Sequence, residues 1–297
     1  MAVTINGTTG IAGASWTTGG RPASPVNGQQ GYNTTLKALE VYINASWRIM
    51  AEQFTATGGT ITTSGGYTIH SFTSSGTFTP NSAGTVEYLV VAGGGGRGKE
   101  AYYGGGGGGG GYLTATGFTV AATGLTVTVG AGGAKSLSGT GADGADSVFS
   151  SITAVGGGGG GGADVVGSAG GSGGGGGGND SARAGGSATA GQGNNGGASQ
   201  TSSASAAGGG GGAGGVGGTS TGTSLGTGGV GGAGLQSSIN GTATYYSAGG
   251  GGVNGYYSPA DGANGTGWAD AANRGHGGGA VTEGDGSSGI VIIRYLT

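Results

Sequence analysis

Uninterrupted glycine runs constrain this chain more than any other feature. They fall at residues 93–96, 104–111, 156–162, 173–178, 208–212 and 249–252, and glycine makes up 88 of the 297 residues. Such blocks admit a flexible linker, a collagen strand, or an extended helix of the polyproline-II type that packs through its backbone alone. Collagen demands glycine at every third position over a long stretch with abundant proline, and this chain has four prolines and glycine in blocks. A linker is the bland alternative. If the runs are ordered, extended glycine helices remain, and at about 3.1 Å rise per residue the run 104–111 spans roughly 25 Å.

A helix of that kind has no internal hydrogen bonds, so every buried N–H and C=O must find a partner on a neighbouring run. Fixing glycine costs roughly 0.5–1 kcal/mol more than fixing alanine, and a net hydrogen bond returns only about 0.5–1.5 kcal/mol. An ordered body therefore requires nearly complete backbone pairing, which means a lattice of runs. The expected fold class is mainly β with polyglycine (polyproline-II) helices, in which short antiparallel strands frame the lattice.

Composition narrows the function classes. Charged residues are 7% of the chain and the formal net charge is −3, which argues against an electrostatic nucleic-acid or membrane-surface binder. Without cysteine there are no disulfides or thiolate metal sites. The first ten residues lack the basic and apolar regions of a signal peptide, and no run of eighteen apolar residues occurs.

The chain divides into a head over 1–50, a β segment over 51–92, a glycine-rich body over 93–286 and a closing strand over 287–297 that pairs with 85–91. In the head, Leu39, Val41 and Ile43 alternate with Glu40, Tyr42 and Asn44, a strand period, although Leu36, Leu39 and Ile43 also fit a helix face. Strands are expected at 67–73, 77–79, 85–91, 117–120, 125–129 and 147–155, from their β-branched and aromatic content. The apolar runs at 86–91 and 290–293 suit central strands buried on both faces. Between the glycine runs lie short diverse segments at 97–103, 179–183, 245–246, 256–261 and 268–276, expected as turns at the ends of the helices.

Several motifs are weaker than they look. Gly93-Gly94-Gly95-Gly96-Arg97-Gly98-Lys99-Glu100 nearly spells a phosphate-binding loop, but it has Glu100 in place of the magnesium-binding hydroxyl, and more glycine follows where a helix is needed. Gly141-Ala142-Asp143-Gly144-Ala145-Asp146 is a single copy of a motif that binds calcium only when stacked, so it reads as a turn. Two histidines, His70 and His276, and scattered acids form no catalytic spacing, so no enzyme, cofactor or metal site is expected. The aromatic residues Tyr102, Tyr103, Tyr245, Tyr246, Tyr256, Tyr257 and Trp268 either shield the open lattice ends or, gathered at one end, form a recognition surface for sugar rings or protein loops. Trp268, Asp270, Asn273, Arg274 and His276 lie within nine residues and are the preferred candidate.

Two regions carry a family resemblance. The start, Val3-Thr4-Ile5-Asn6-Gly7-Thr8-Thr9-Gly10-Ile11 with Arg21-Pro22, Ser24-Pro25, Gly28, Tyr32-Asn33-Thr34 and Leu39-Glu40-Val41-Tyr42 to Trp47, resembles the head of tailed-phage tail-fibre proteins. Tyr67-Thr68-Ile69-His70, Phe72, Gly76 and Phe78, then Val86-Glu87-Tyr88-Leu89-Val90-Val91-Ala92, and finally Gly286 through Ile290-Val291-Ile292-Ile293-Arg294-Tyr295, are similar to the glycine-rich domain at the C-termini of phage tail proteins. The resemblance implies a virion protein, a homotrimer as fibre proteins usually are. Its head would attach to other tail or baseplate proteins, and its glycine-rich loops would bind a host-surface polysaccharide or outer-membrane protein, as in the T-even phage adhesins. A purely structural fibre or spacer is the alternative, and nucleic acid is not an expected partner.

Overall fold

A computed structural model describes the chain except residues 1–3, 7–9, 13, 99–102, 202–205, 222–225, 255–263, 268–271 and 281–283, and without the side chains of 4–6, 10–12, 51 and 52. The described chain is mainly β, with several antiparallel sheets and one short 3-10 turn at Thr18–Gly20. At the N-terminus β1 (Thr4–Asn6) and β2 (Gly10–Ala12) form a hairpin. The head sheet follows, with β3 (Ser15–Trp16), β4 (Gln30–Asn33), β5 (Ala38–Ile43) and β6 (Ser46–Glu52) in that spatial order. Beyond it come β7 (Ala56–Thr57), β8 (Thr60–Ser64), β9 (Tyr67–Phe72), β10 (Gly76–Pro80), β11 (Gly84–Val91), β12 (Tyr112–Val120), β13 (Leu125–Thr128), β14 (Ser147–Phe149), β15 (Ile152–Ala154), β16 (Leu235–Ser237), β17 (Thr244–Tyr246) and β18 (Ile290–Leu296).

In the head, residues 38–43 form a strand in which Val41 is buried as its apolar alternation predicts, but the flanking positions depart from that reading. Leu39 and Ile43 are exposed while Glu40 is buried. The reason is a polar core. The Glu40 carboxylate accepts from Trp16 Nε1 at 3.1 Å, Asn33 Nδ2 at 2.9 Å and Arg21 Nε at 3.1 Å, and from Arg21 Nη2. These bonds, that of Arg21 foremost, hold its pKa at about 2. Trp16 lies on Gly31, where a Cβ would strike its ring, and meets Trp47 edge-on at 4.8 Å.

Two five-stranded sheets form a sandwich, ordered β15-β14-β13-β10-β7 and β12-β11-β18-β9-β8. Phe72, Phe78, Val86, Tyr88, Val90, Phe149, Val291 and Ile293 fill the space between them. On the other face of the second sheet Leu89, Val91, Ile290 and Ile292 pack with Ile69, Ile239 and Tyr246, so its central strands are buried on both sides. β11 and β18 pair antiparallel, from Glu87 with Arg294 to Val91 with Ile290. His70 is fully buried between the sheets, its Nδ1 2.7 Å from the Gly58 carbonyl and its ring edge-on to Phe78.

From Val91 the chain leaves the sheet into the glycine-rich body, a set of extended segments that run away from the sandwich and back to it. Hydrogen bonding along them repeats every third residue. Gly93 and Gly96 donate to Ala145 and Ala142, Gly94 and Arg97 to Ser287 and Gly284, and Gly95 and Gly98 to Gly108 and Gly105. Segment 104–111 is the most enclosed. It donates to 155–161 through Gly105, Gly108 and Gly111, to 208–211 through Gly106 and Gly109, and to 275–278 through Gly107 and Gly110. It accepts from Gly95 and Gly98, from Ser172 and Gly175, and from Gly250 and Val253. Three neighbours accept from it and three others donate to it. Neighbours run both parallel and antiparallel, since 106 and 109 pair with 208 and 211 in ascending order while 105 and 108 pair with 161 and 158.

This arrangement explains why the runs are pure. A Cβ on Gly107 would fall on the Gly95 carbonyl, one on Gly106 on that of Gly250, and one on Gly108 on that of Ser172. Where a segment faces solvent, side chains return at the lattice spacing. In Thr227-Gly-Gly-Val230-Gly-Gly-Ala233, the glycines are buried while Thr227 and Val230 are exposed and Ala233 is half-buried. Ala131, Ala134 and Leu137 form a second exposed row of the same spacing.

Candidate functional site

The lattice has two ends, and the candidate residues do not gather at one of them. At the end remote from the sandwich the described residues include Tyr103, Asp164, Asn179, Asp180, Ser181 and Arg183. The Tyr103 carbonyl accepts from Gly178 N at 2.9 Å, and the Asp164 carboxylate accepts from Asn179 Nδ2 at 2.7 Å and Ser181 N at 3.0 Å. These bonds, that of Asn179 first, hold the Asp164 carboxyl below its usual range. Tyr103 is half-buried and Asp180 exposed. Tyr102, Tyr256 and Tyr257 lie outside the described residues, as do Trp268 and Asp270.

Tyr245 and Tyr246, expected as a turn between runs, instead form β17, paired with Gln236 and Leu235 of β16. This hairpin sits at the sandwich end and covers the second sheet. Tyr246 is 1% exposed, walled by Ile69, Leu89 and Ile292, so it offers nothing to a receptor. Tyr245 is half-buried, and Gly267 (φ +83°) lies so close under its ring that a Cβ there would strike it. Asn273, Arg274 and His276 belong to the same end. Asn273 Oδ1 accepts from Ser288 Oγ at 3.0 Å, and the Arg274 carbonyl accepts from Ser247 N at 2.8 Å.

His276 is 1% exposed, which removes it from any recognition surface. Its Nδ1 accepts from Ala248 N at 3.0 Å and its own N–H donates to Ser287 Oγ at 2.7 Å. It does the work of a backbone carbonyl within the lattice. Burial first, then the nearby Arg274 charge, pushes its pKa down to about 3.

Residues that sequence reasoning set aside prove to finish the lattice rim. Asp146 Oδ1 accepts from Gly156 N at 2.8 Å and Asp143 Oδ1 accepts from Gly159 N at 2.7 Å. Both carboxylates thus extend the three-residue repeat where no further run lies. Gln192 accepts from Val155 N, Asn264 from Gly251 N and Asp285 from Lys135 N in the same manner. The readable signal was the Asp-x-x-Asp spacing, equal to the lattice period. Likewise the near phosphate loop has every amide from 93 to 98 engaged with neighbouring carbonyls. Among the described residues no group of three or more histidines and acids could hold a metal ion.

The strands that frame the body and the body itself define one unit. The chain belongs to the glycine-rich domain family, whose pattern it matches over residues 73–296. No curated protein matches the sequence.

Proposed function

We propose that this chain is a tail-fibre or receptor-binding protein of a tailed bacteriophage, located in the virion, with residues 1–50 docked on other tail or baseplate proteins and the glycine-rich body directed at a host-surface polysaccharide or outer-membrane protein. The body segments are read as polyglycine II helices. The observation that carries this is the exchange of hydrogen-bond partner at every third residue, the period of a three-fold extended helix. A lattice bonded in this way is stiff, and stiffness favours recognition because the turns it displays lose little entropy on binding. The remote-end turns, with Tyr103, Asn179, Asp180 and Arg183, combine aromatic faces with polar edges, the composition of adaptable paratopes. Binding, without catalysis, is the activity assigned, and three copies per fibre is the expected assembly.

Placement of Tyr246 and His276 inside the sandwich end favours a second reading, in which the body is a rigid spacer and the aromatic residues serve packing. Adsorption separates the two. Fluorescently labelled full-length chain, applied to a panel of bacterial strains, is expected to bind a subset saturably and to block infection of those strains by the phage. Tyr102→Ala with Tyr103→Ala, and Tyr256→Ala with Tyr257→Ala, should weaken adsorption at least tenfold, whereas Arg274→Ala should not. Failure to adsorb to any strain or to block infection leaves the spacer reading.

A further inference from the structure

At the end of the second sheet farthest from the glycine lattice, β9, β11 and β18 enclose a cavity of about 300 Å³ lined by Phe54, Tyr67, Thr85, Glu87, Arg294 and Leu296. Its polar part is an ion pair across adjacent strands, since Glu87 and Arg294 stand opposite one another in the ladder. Arg294 Nε donates to Glu87 Oε2 at 2.7 Å, and Nη2 lies 2.6 Å from the same oxygen. Both short contacts fall on Oε2, while Oε1 receives the Tyr67 hydroxyl only at 3.4 Å, and Arg294 Nη1 reaches the Ile239 carbonyl only at 3.5 Å. The pair thus holds its own geometry and still presents an acceptor, Oε1, beside a donor, Nη1, whose existing contacts are long.

Its apolar part is fixed independently. The Tyr67 ring lies under the guanidinium, 4.2 Å from Cζ to the ring centroid, and Phe54 packs edge-on against Tyr295 at 4.7 Å. Phe54 can lie there because residue 84 is glycine, where a Cβ would strike its ring. Gly117, at φ +71° with nothing within 4 Å of a Cβ position, leaves the wall open on the edge strand. Leu296 is 70% exposed at the rim.

We infer that this cavity is a saccharide subsite that takes one neutral pyranose, with vicinal hydroxyls bridging Glu87 Oε1 and Arg294 Nη1 and the C–H face of the ring against the apolar lining side chains Phe54 and Leu296. Vicinal hydroxyls each donate and accept, so two of them satisfy a carboxylate oxygen and a guanidinium N–H together. Phe54 and Leu296 supply the apolar contact, and Tyr67 holds the guanidinium in place from beneath. Glu87 and Arg294 already neutralise one another, so a charged sugar would give up hydration without finding an uncompensated opposite charge, and the pair favours a neutral ring. The site lies at the opposite end of the body from the turns proposed for receptor recognition and does not depend on that proposal.

The test is saturation-transfer NMR on the full chain with methyl glucoside, methyl galactoside, methyl mannoside and methyl N-acetylglucosaminide, each at millimolar concentration, and with glucuronate and glucosamine as charged counterparts. At least one neutral glycoside should receive saturation, and the charged counterparts should receive at least tenfold less. Thr85→Trp fills the cavity from an exposed strand position and should abolish the signal with the thermal transition unchanged. Glu87→Gln should weaken binding about tenfold. Absence of transfer to every neutral glycoside overturns the proposal, and so does a signal that survives Thr85→Trp or is strongest for a charged sugar. Adsorption to bacteria reports on the remote-end turns, so the two readings fail separately.

Discussion

At the scale of single residues, what matters in the lattice is the absence of a Cβ. Position 107 sits at the centre, and its missing methyl is the space occupied by the Gly95 carbonyl. Gly107→Ala must push two segments apart, and the expected cost is more than about 3 kcal/mol, at the upper end of overpacking penalties. Gly139 is the contrasting case, in a turn where an added Cβ meets nothing closer than Ser136 Oγ at 3.9 Å. Gly139→Ala should leave stability unchanged or raise it by about 0.4–1 kcal/mol through the unfolded chain. Denaturant melts of the two variants side by side check this, and equal effects would mean that the runs are not close-packed. The same scale explains why Glu40 of β5 is buried while Leu39 and Ile43 are exposed. Apolar alternation pointed Leu39 and Ile43 inward, but Arg21, Asn33 and Trp16 converge on Glu40 from outside the strand, and nothing in the strand's own pattern reveals that.

At the scale of elements, a segment is defined by which neighbours surround it. The most enclosed segment, 104–111, is pure glycine, and a peripheral one such as 227–233 admits a side chain at every third place. Where a neighbour is lacking, a side chain supplies the acceptor, as Asp143 and Asp146 do for Gly159 and Gly156. Replacing either by alanine should cost about 1 kcal/mol, the net worth of a hydrogen bond that water can partly restore. Hydrogen exchange at Gly156 or Gly159 should quicken correspondingly. Asn at either position keeps an Oδ1 acceptor and should restore protection, whereas failure of Asn to rescue would assign the effect to charge. Strands at 67–72, 84–91 and 290–296 were legible because β-branched and apolar residues concentrate there. The β16–β17 hairpin was not. Tyr245 and Tyr246 sit between glycine runs like any turn, and only packing of Tyr246 against Ile69, Leu89 and Ile292 makes a strand of them.

At the scale of the whole molecule, buried ionisable groups make the fold sensitive to acid. His276 stays neutral in the fold down to about pH 3 against an ordinary value of 6.5, and burial lowers His70 as well. A depressed pKa means that the unfolded chain binds protons more readily, so the stability these groups contribute is complete above pH 6.5 and is lost as pH falls toward 3. Glu40 acts in the same direction in the head, over about pH 4.5 to 2. The midpoint of thermal unfolding should therefore drop steadily below pH 6.5. His276→Asn, whose Oδ1 can stand where Nδ1 accepts from Ala248, should flatten the upper part of that profile, and an unaltered profile would remove His276 as its source. Sequence alone determined that this chain is mainly β with a glycine-rich domain, because block glycine excludes a side-chain core within the runs and β-branched runs demand sheets. Which runs neighbour which, and hence which end each aromatic and acidic residue occupies, only the tertiary structure decided. A glycine run carries no side chain to specify its partner, so its neighbours are chosen by where the sheets launch it and where rim side chains stop it.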